Sequence, residues 1–299
     1  MVEAHVRAVC DVPDKIPSLA EARRHCMRLA RGHYENFTVL SPFAPASMRR
    51  HLGTLYAYCR TVDDLGDEAT GNRLALLDGA ESELDAAFSG DARLPVFVAL
   101  QDTIARFSLP RDPFRRLIDA NRRDQAGLPF ETFSDLLDYC ACSANPVGRL
   151  VLMIHGCRDE EALSLSDATC TALQLTNFWQ DLRRDARRGR VYLPQEDMKT
   201  LGVRPHDLVR ERASDDLKEL IRFQVGRARA FFEEGLPLLR RVRGHLRVDL
   251  ALFSLGGLAI LDKIEAQGFD TLSRRPLLTS SEKLRLGISA LTAKRWRRN

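Results

Sequence analysis

The 299-residue chain contains no CxxC pair, no GxGxxG run and no HxxxH pair. Each absence excludes a class of chemistry. Without CxxC, and with an odd number of cysteines at irregular spacing, neither a zinc site nor a disulfide framework is indicated. The thiols are expected to lie buried in a reducing compartment. Without GxGxxG there is no dinucleotide fingerprint, so NADPH is not expected. Without paired histidines, metal binding through imidazole is disfavoured. The longest apolar run, residues 250–261, falls well short of the roughly 20 residues that cross a bilayer. Residues 1–16 are polar and lack a signal-peptide core, which points to a cytoplasmic protein. The net charge of +4 is too small to argue for nucleic acid, but it suits an anionic small substrate or the inner face of an anionic membrane.

Helix-forming residues at 3.6-residue periodicity fill the rest, and no stretch sustains the alternation of a strand. Turn chemistry at Gly71-Asn72, Ser89-Gly90, Leu109-Pro110, Leu193-Pro194, Gly235-Leu236-Pro237 and elsewhere cuts the chain into about eight to ten helical segments. No linker or repeat divides it. The expected architecture is a single all-α domain over 1–299, with flexible ends at 1–16 and 292–299. A long helix from Thr132 to Met153 should kink at Pro146.

Two segments carry acid at helical spacing. Residues 51–68 read HLGTLYAYCRTVDDLGDE. Leu52, Leu55, Cys59, Val62 and Leu65 form the apolar stripe, while Tyr56, Arg60, Asp63 and Asp67 form a second one, flanked by Asp64 and Glu68. Residues 170–185 read CTALQLTNFWQDLRRD. There Ala172, Leu175, Trp179 and Leu182 face inward, and Gln174, Asn177, Asp181 and Asp185 line the polar side. Carboxylates four residues apart repel one another unless a cation bridges them. Magnesium, with manganese as the alternative, takes one or two carboxylates plus substrate phosphates. Either segment alone also reads as a solvated acidic face. Both together suggest carboxylates pointing across a common cavity between helices. Arg190, beside the apolar Val191-Tyr192-Leu193-Pro194 stretch, is the arginine of its cluster best placed to meet phosphate.

These residues resemble the squalene and phytoene synthase family of head-to-head prenyl synthases. The likeness runs through Tyr56-Ala57-Tyr58-Cys59-Arg60 into Asp63-Asp64-Leu65-Gly66-Asp67-Glu68. It continues through Gln174-Leu175-Thr176-Asn177 to Asp181 and Asp185, with Tyr139-Cys140, Val147-Gly148 and the closing Arg274-Arg275-Pro276. It implies an isoprenoid synthase fold, magnesium held by Asp63, Asp64, Asp67, Asp181 and Asp185, and an isoprenoid diphosphate substrate. Tyr56, Arg60, Asn177 and Arg190 would meet diphosphate or metal-bound water, and Gln180 would also lie at the substrate. Gln180, where condensing members usually carry arginine, together with His33-Tyr34-Glu35-Asn36-Phe37 and Ser143-Ala144-Asn145-Pro146-Val147-Gly148, is similar to the bacterial hydroxysqualene synthase branch. That branch turns presqualene diphosphate and water into hydroxysqualene and pyrophosphate, alongside partner enzymes of squalene synthesis. Condensation of two prenyl diphosphates, or a non-catalytic lipid-binding role, are the alternatives. In this scheme Tyr139 steadies cations or relays a proton, Asn145 positions water, and Phe253 with Gly256-Gly257 walls the cavity. The basic tail at 294–298, with Trp296, would touch a membrane surface.

Overall fold

A computed structural model describes residues 15–32 and 44–292. The His33 to Phe37 segment, both expected flexible ends save residues 15, 16 and 292, and the basic tail lie outside the described residues. Within them the chain is all-α, without strands. Helices α1 (Leu19–Gly32), α2 (Ala46–Asp67), α3 (Arg73–Ser89), α4 (Pro95–Phe107), α5 (Asp112–Ala126), α6 (Phe133–Ser143) and α7 (Asn145–Ile154) lead to α8 (Glu160–Arg187). They are followed by α9 (Gln195–Thr200), a 3₁₀ turn (Pro205–Val209), α10 (Asp215–Gly235), α11 (Leu238–Arg241), α12 (Gly244–Ala266) and α13 (Ser280–Thr292). The helices outnumber the expected segments because α9 and α11 are short pieces of six and four residues and the expected 132–153 helix is two helices.

The expected turns work as punctuation. Asn72 caps α3 by accepting the Ala75 N–H at 3.2 Å, and Gly90 ends it at φ 94°. Thr132 and Asp135 form a reciprocal capping box at the start of α6. Pro146 does not kink a continuous helix. The chain breaks at Ala144 (φ −123°, ψ −48°), and Pro146 falls in the first turn of α7. There its missing N–H would have had no intrahelical acceptor in any case.

Two compact units emerge. One takes the described residues up to Ala126 together with 149–158; the other takes 127–148 and 159 onward. In the first, α2 packs against α1, α3, α4 and α5. Its anchor is Tyr58, fully buried, which meets Phe97 and Phe114 edge-on and donates to the Phe114 carbonyl at 2.9 Å. In the second, α8 packs against α6, α10 and α12. By length and composition α12 could cross a membrane, yet here it lies against α8, α10 and α13, with Leu250, Ile260 and Leu261 buried.

Close approach in the second unit depends on glycines. A Cβ on Gly148 would sit 2.5 Å from both Cys170 Sγ and Ser166 Oγ. One on Gly257 would sit 2.3 Å from Phe232 Cζ. Gly257 therefore seats α12 on a neighbouring aromatic edge, which is a packing task that the sequence did not distinguish from lining a cavity.

Candidate active site

Burial along α2 isolates one line of accessible side chains. From His51 to Gly66 every residue is buried except Tyr56, Cys59, Arg60 and Asp63. With half-buried Asp67 they make a single stripe at helical spacing, so the polar stripe read from the sequence is the accessible one. Cys59, expected among the buried residues, lies half-buried beside it.

Asp63 is exposed along its surface but surrounded by enough protein for desolvation to lift its carboxyl to about 7. Asp67 pushes the same way, while the Asn121 side chain pulls against them, its Nδ2 donating to Asp63 Oδ1 at 3.3 Å. Asp64 points elsewhere. It is 1% exposed, with Oδ1 2.6 Å from the Arg60 guanidinium. Its carboxylate thus fixes an arginine of the stripe rather than joining the accessible acids.

The second stripe repeats the pattern. On α8, Ala172, Leu175, Trp179 and Leu182 are buried as expected, while Gln174, Asn177, Asp181 and Asp185 reach the surface in part or whole. Burial, with a second push from Asp181, raises the Asp185 carboxyl to about 7, opposed by Arg184, Arg190 and Arg188. The Arg188 N–H reaches the Asp185 carbonyl at 2.9 Å, and Gly189 at φ 79° turns the chain back so that the Arg190 N–H reaches the same oxygen at 2.9 Å. This turn keeps the Arg190 charge beside the stripe.

A strap at residues 267–279 lies along α8. Arg275 grips Asp181 with both arms, Nε to Oδ1 at 2.5 Å and Nη2 to Oδ2 at 2.9 Å. Gln180 Nε2 donates to the Pro276 carbonyl at 2.5 Å, and Arg183 Nη1 to that of Leu272 at 3.0 Å. Gln180, expected at the substrate, is therefore a 2%-exposed residue holding the strap. The strap is steadied by Asp270, whose Oδ1 accepts the Ala213, Leu272 and Ser273 N–H groups. Sequence reading placed Arg275 in the family likeness but did not give it Asp181 as partner.

Tyr139 is buried in a cluster with Phe130, Phe178 and Tyr192, where Phe178 and Tyr192 stack at 4.0 Å. Of these, sequence reading singled out only Tyr139. Asn145 Oδ1 accepts from Thr171 Oγ1 at 3.1 Å, and Phe253 is half-buried on α12.

The donors suit magnesium. Each unit carries an aspartate raised to about 7 with a second aspartate four residues away, so each holds acid that a divalent cation would settle. Among the described residues no three His, Cys, Asp or Glu side chains converge into a ready-made cage. Magnesium seldom uses one, since substrate phosphate and water complete its shell.

These raised carboxyls set a pH dependence. A carboxyl with a folded value above its unfolded 3.8 holds its proton more tightly when folded, so it costs stability as pH rises through about 7. In EDTA, Asp185→Asn is expected to melt increasingly above wild type between about pH 4 and about pH 7. Melting curves with a pH-independent gap would remove Asp185 from this account.

A family model described as squalene/phytoene synthase matches residues 30–282. The 15-cis-phytoene synthase of Synechococcus elongatus is 31% identical over 287 residues, covering 90% of this chain and 92% of that protein. The phytoene synthase of Arthrospira platensis is 32% identical over 282 residues, covering 87% and 89%. Among solved structures, squalene synthase HpnC from Alicyclobacillus acidocaldarius is 50% identical with a TM-score of 0.80, covering 88% of this chain and 98% of that one. A dehydrosqualene synthase in complex with ligand shares the fold at 24% identity and a TM-score of 0.84, covering 92% and 96%.

Proposed function

The chain belongs to the squalene/phytoene synthase family, and from that premise we propose that it converts presqualene diphosphate and water to hydroxysqualene and pyrophosphate. The observation that carries this choice is the 50% identity to a squalene synthase named HpnC, against 31% and 32% to the phytoene synthases. The sequence likeness through Gln180 and residues 143–148 points the same way.

Asp63 and Asp67 on α2, and Asp181 and Asp185 on α8, would hold magnesium. When bound, the metal would supply Lewis acidity to the diphosphate leaving group. Arg60, kept in place by Asp64, and Arg190, kept beside Asp185, offer guanidinium N–H groups to the departing oxygens. Asn177, the exposed member of its stripe, hydrogen-bonds diphosphate or bound water. The electron pair leaves with pyrophosphate; the carbocation takes oxygen from water, and the water proton is released. Apolar side chains such as Phe253 fold the cation and keep stray water away. No reductant enters this balance, so NADPH is not required.

The same reading places the protein in the cytoplasm, visiting the inner membrane face where a long isoprenoid dissolves. Leu284 and Leu291, seven residues apart and both exposed on α13, support that visit, as do the cations at 294–298 in the sequence.

The named phytoene synthase relatives favour a second reading, condensation of two prenyl diphosphates. Purified protein with magnesium and presqualene diphosphate should yield hydroxysqualene by mass spectrometry, faster from anionic than from neutral vesicles. Rapid consumption of farnesyl or geranylgeranyl diphosphate, with presqualene diphosphate untouched, would replace the first reading by the second.

A further inference from the structure

We infer that Asn121 is a positioning residue for Asp63, turning one carboxylate oxygen away so that the other is presented to the cation. The inference rests on the magnesium role proposed for Asp63. Asn121 is on α5, is 8% exposed, and lies 58 residues from its partner. Its Nδ2 is shared between the Leu117 carbonyl at 3.1 Å, within its own helix, and Asp63 Oδ1 at 3.3 Å. The first bond fixes the amide on α5; the second carries that fixity to Asp63.

Room for the amide comes from Gly66. A Cβ there would fall 2.2 Å from Asn121 Oδ1 and 3.0 Å from its Cγ, so only glycine lets the side chain lie across α2 at this height. One turn further on, Gln125 Nε2 donates to the Gly66 carbonyl at 2.8 Å. Two amides of α5 therefore grip the acidic end of α2, but only Asn121 touches an acid. A carboxylate accepting an amide on one oxygen keeps the other for a cation, and loss of such an outer partner typically weakens metal binding about 10–100-fold.

The test uses calorimetric titration of magnesium into the full chain with inorganic pyrophosphate, alongside thermal melting. Asn121→Leu removes the contact to Asp63. Asn121→Ser is the smaller variant should leucine not fold beside Gly66. Gln125→Leu loosens the same helix pair without touching Asp63. Asp63→Asn is the reference for loss of the ligand itself.

The expected result is at least about 10-fold weaker magnesium binding in the Asn121 variants, against less than about twofold in Gln125→Leu. Equal weakening in Asn121 and Gln125 variants would show a general loosening and overturn the inference, as would wild-type affinity in the Asn121 variants. If Asp63→Asn also bound magnesium like wild type, the metal role of Asp63 would fall. If only Asp63→Asn lost binding, that role would stand and the role of Asn121 would not.

Discussion

Asp63→Ala and Asp181→Ala are each expected to lower turnover of presqualene diphosphate by at least about 10³-fold, equivalent to roughly 4 kcal/mol of transition-state stabilisation. Circular dichroism should be unchanged, because both side chains lie on accessible stripes rather than in the core. For Asp63 the loss removes a carboxylate that burial and Asp67 have already made costly to ionise, so thermal stability above neutral pH should hold or rise. Asp181 needs a second variant, because it also receives both arms of Arg275. Asp181→Asn keeps a hydrogen-bond acceptor for the guanidinium but loses the charge. If the charge meets metal, asparagine should be nearly as inactive as alanine. If Asp181 only fastened Arg275, asparagine would retain most of the activity, and pyrophosphate release would show it.

The second large effect is structural. Gly235→Ala is expected to destabilise the protein by about 3 kcal/mol, lowering the melting temperature by roughly 5 °C for a chain of this length. A Cβ at Gly235 would meet Thr169 Oγ1 at 2.2 Å, the Thr169 backbone nitrogen at 2.9 Å and the Leu165 carbonyl at 3.0 Å. Two of these three are main-chain atoms of α8 and cannot rotate aside. Gly226, nine residues earlier on the same helix, has nothing within 4 Å of its Cβ position and is exposed. There the same substitution should stabilise by about 0.5–1 kcal/mol through helix propensity alone. Opposite signs from one substitution on one helix would separate close approach from intrinsic preference. A similar effect at both sites would mean that α10 does not seat on α8 through Gly235.

Both acidic stripes were legible because a helix repeats on itself: spacing of three and four residues states which side chains share a face, whatever the fold around them. The inward-facing Trp179 and Leu182 followed from the same rule. What periodicity could not supply were partners distant in the chain. Asn121 and Asp63 are 58 residues apart, and Gln180 and Pro276 are 96 apart. Nothing local marks either pair. The one hint for Asn121 was a glycine inside a helix, at Gly66, which signals that a neighbour comes close without saying which. Asp64 shows the limit of adjacency in sequence. It sits next to Asp63 in sequence, but adjacent helical residues point about 100° apart, and the turn carries it into the protein to meet Arg60. Pro146 was recognised as a disruption but not as a boundary, since a proline in a first turn and one in mid-helix differ only in where the preceding helix stops.

The strap has a practical consequence for anyone handling this chain. Pro276 is hydrogen-bonded to Gln180, and Arg275 to Asp181, so consecutive residues of one peptide are moored to consecutive residues of one helix. A purification handle, deletion or domain graft that drags on this stretch would be felt at Gln180 and Asp181 without altering either residue. Fusion junctions near the carboxyl end should be judged by turnover as well as by yield.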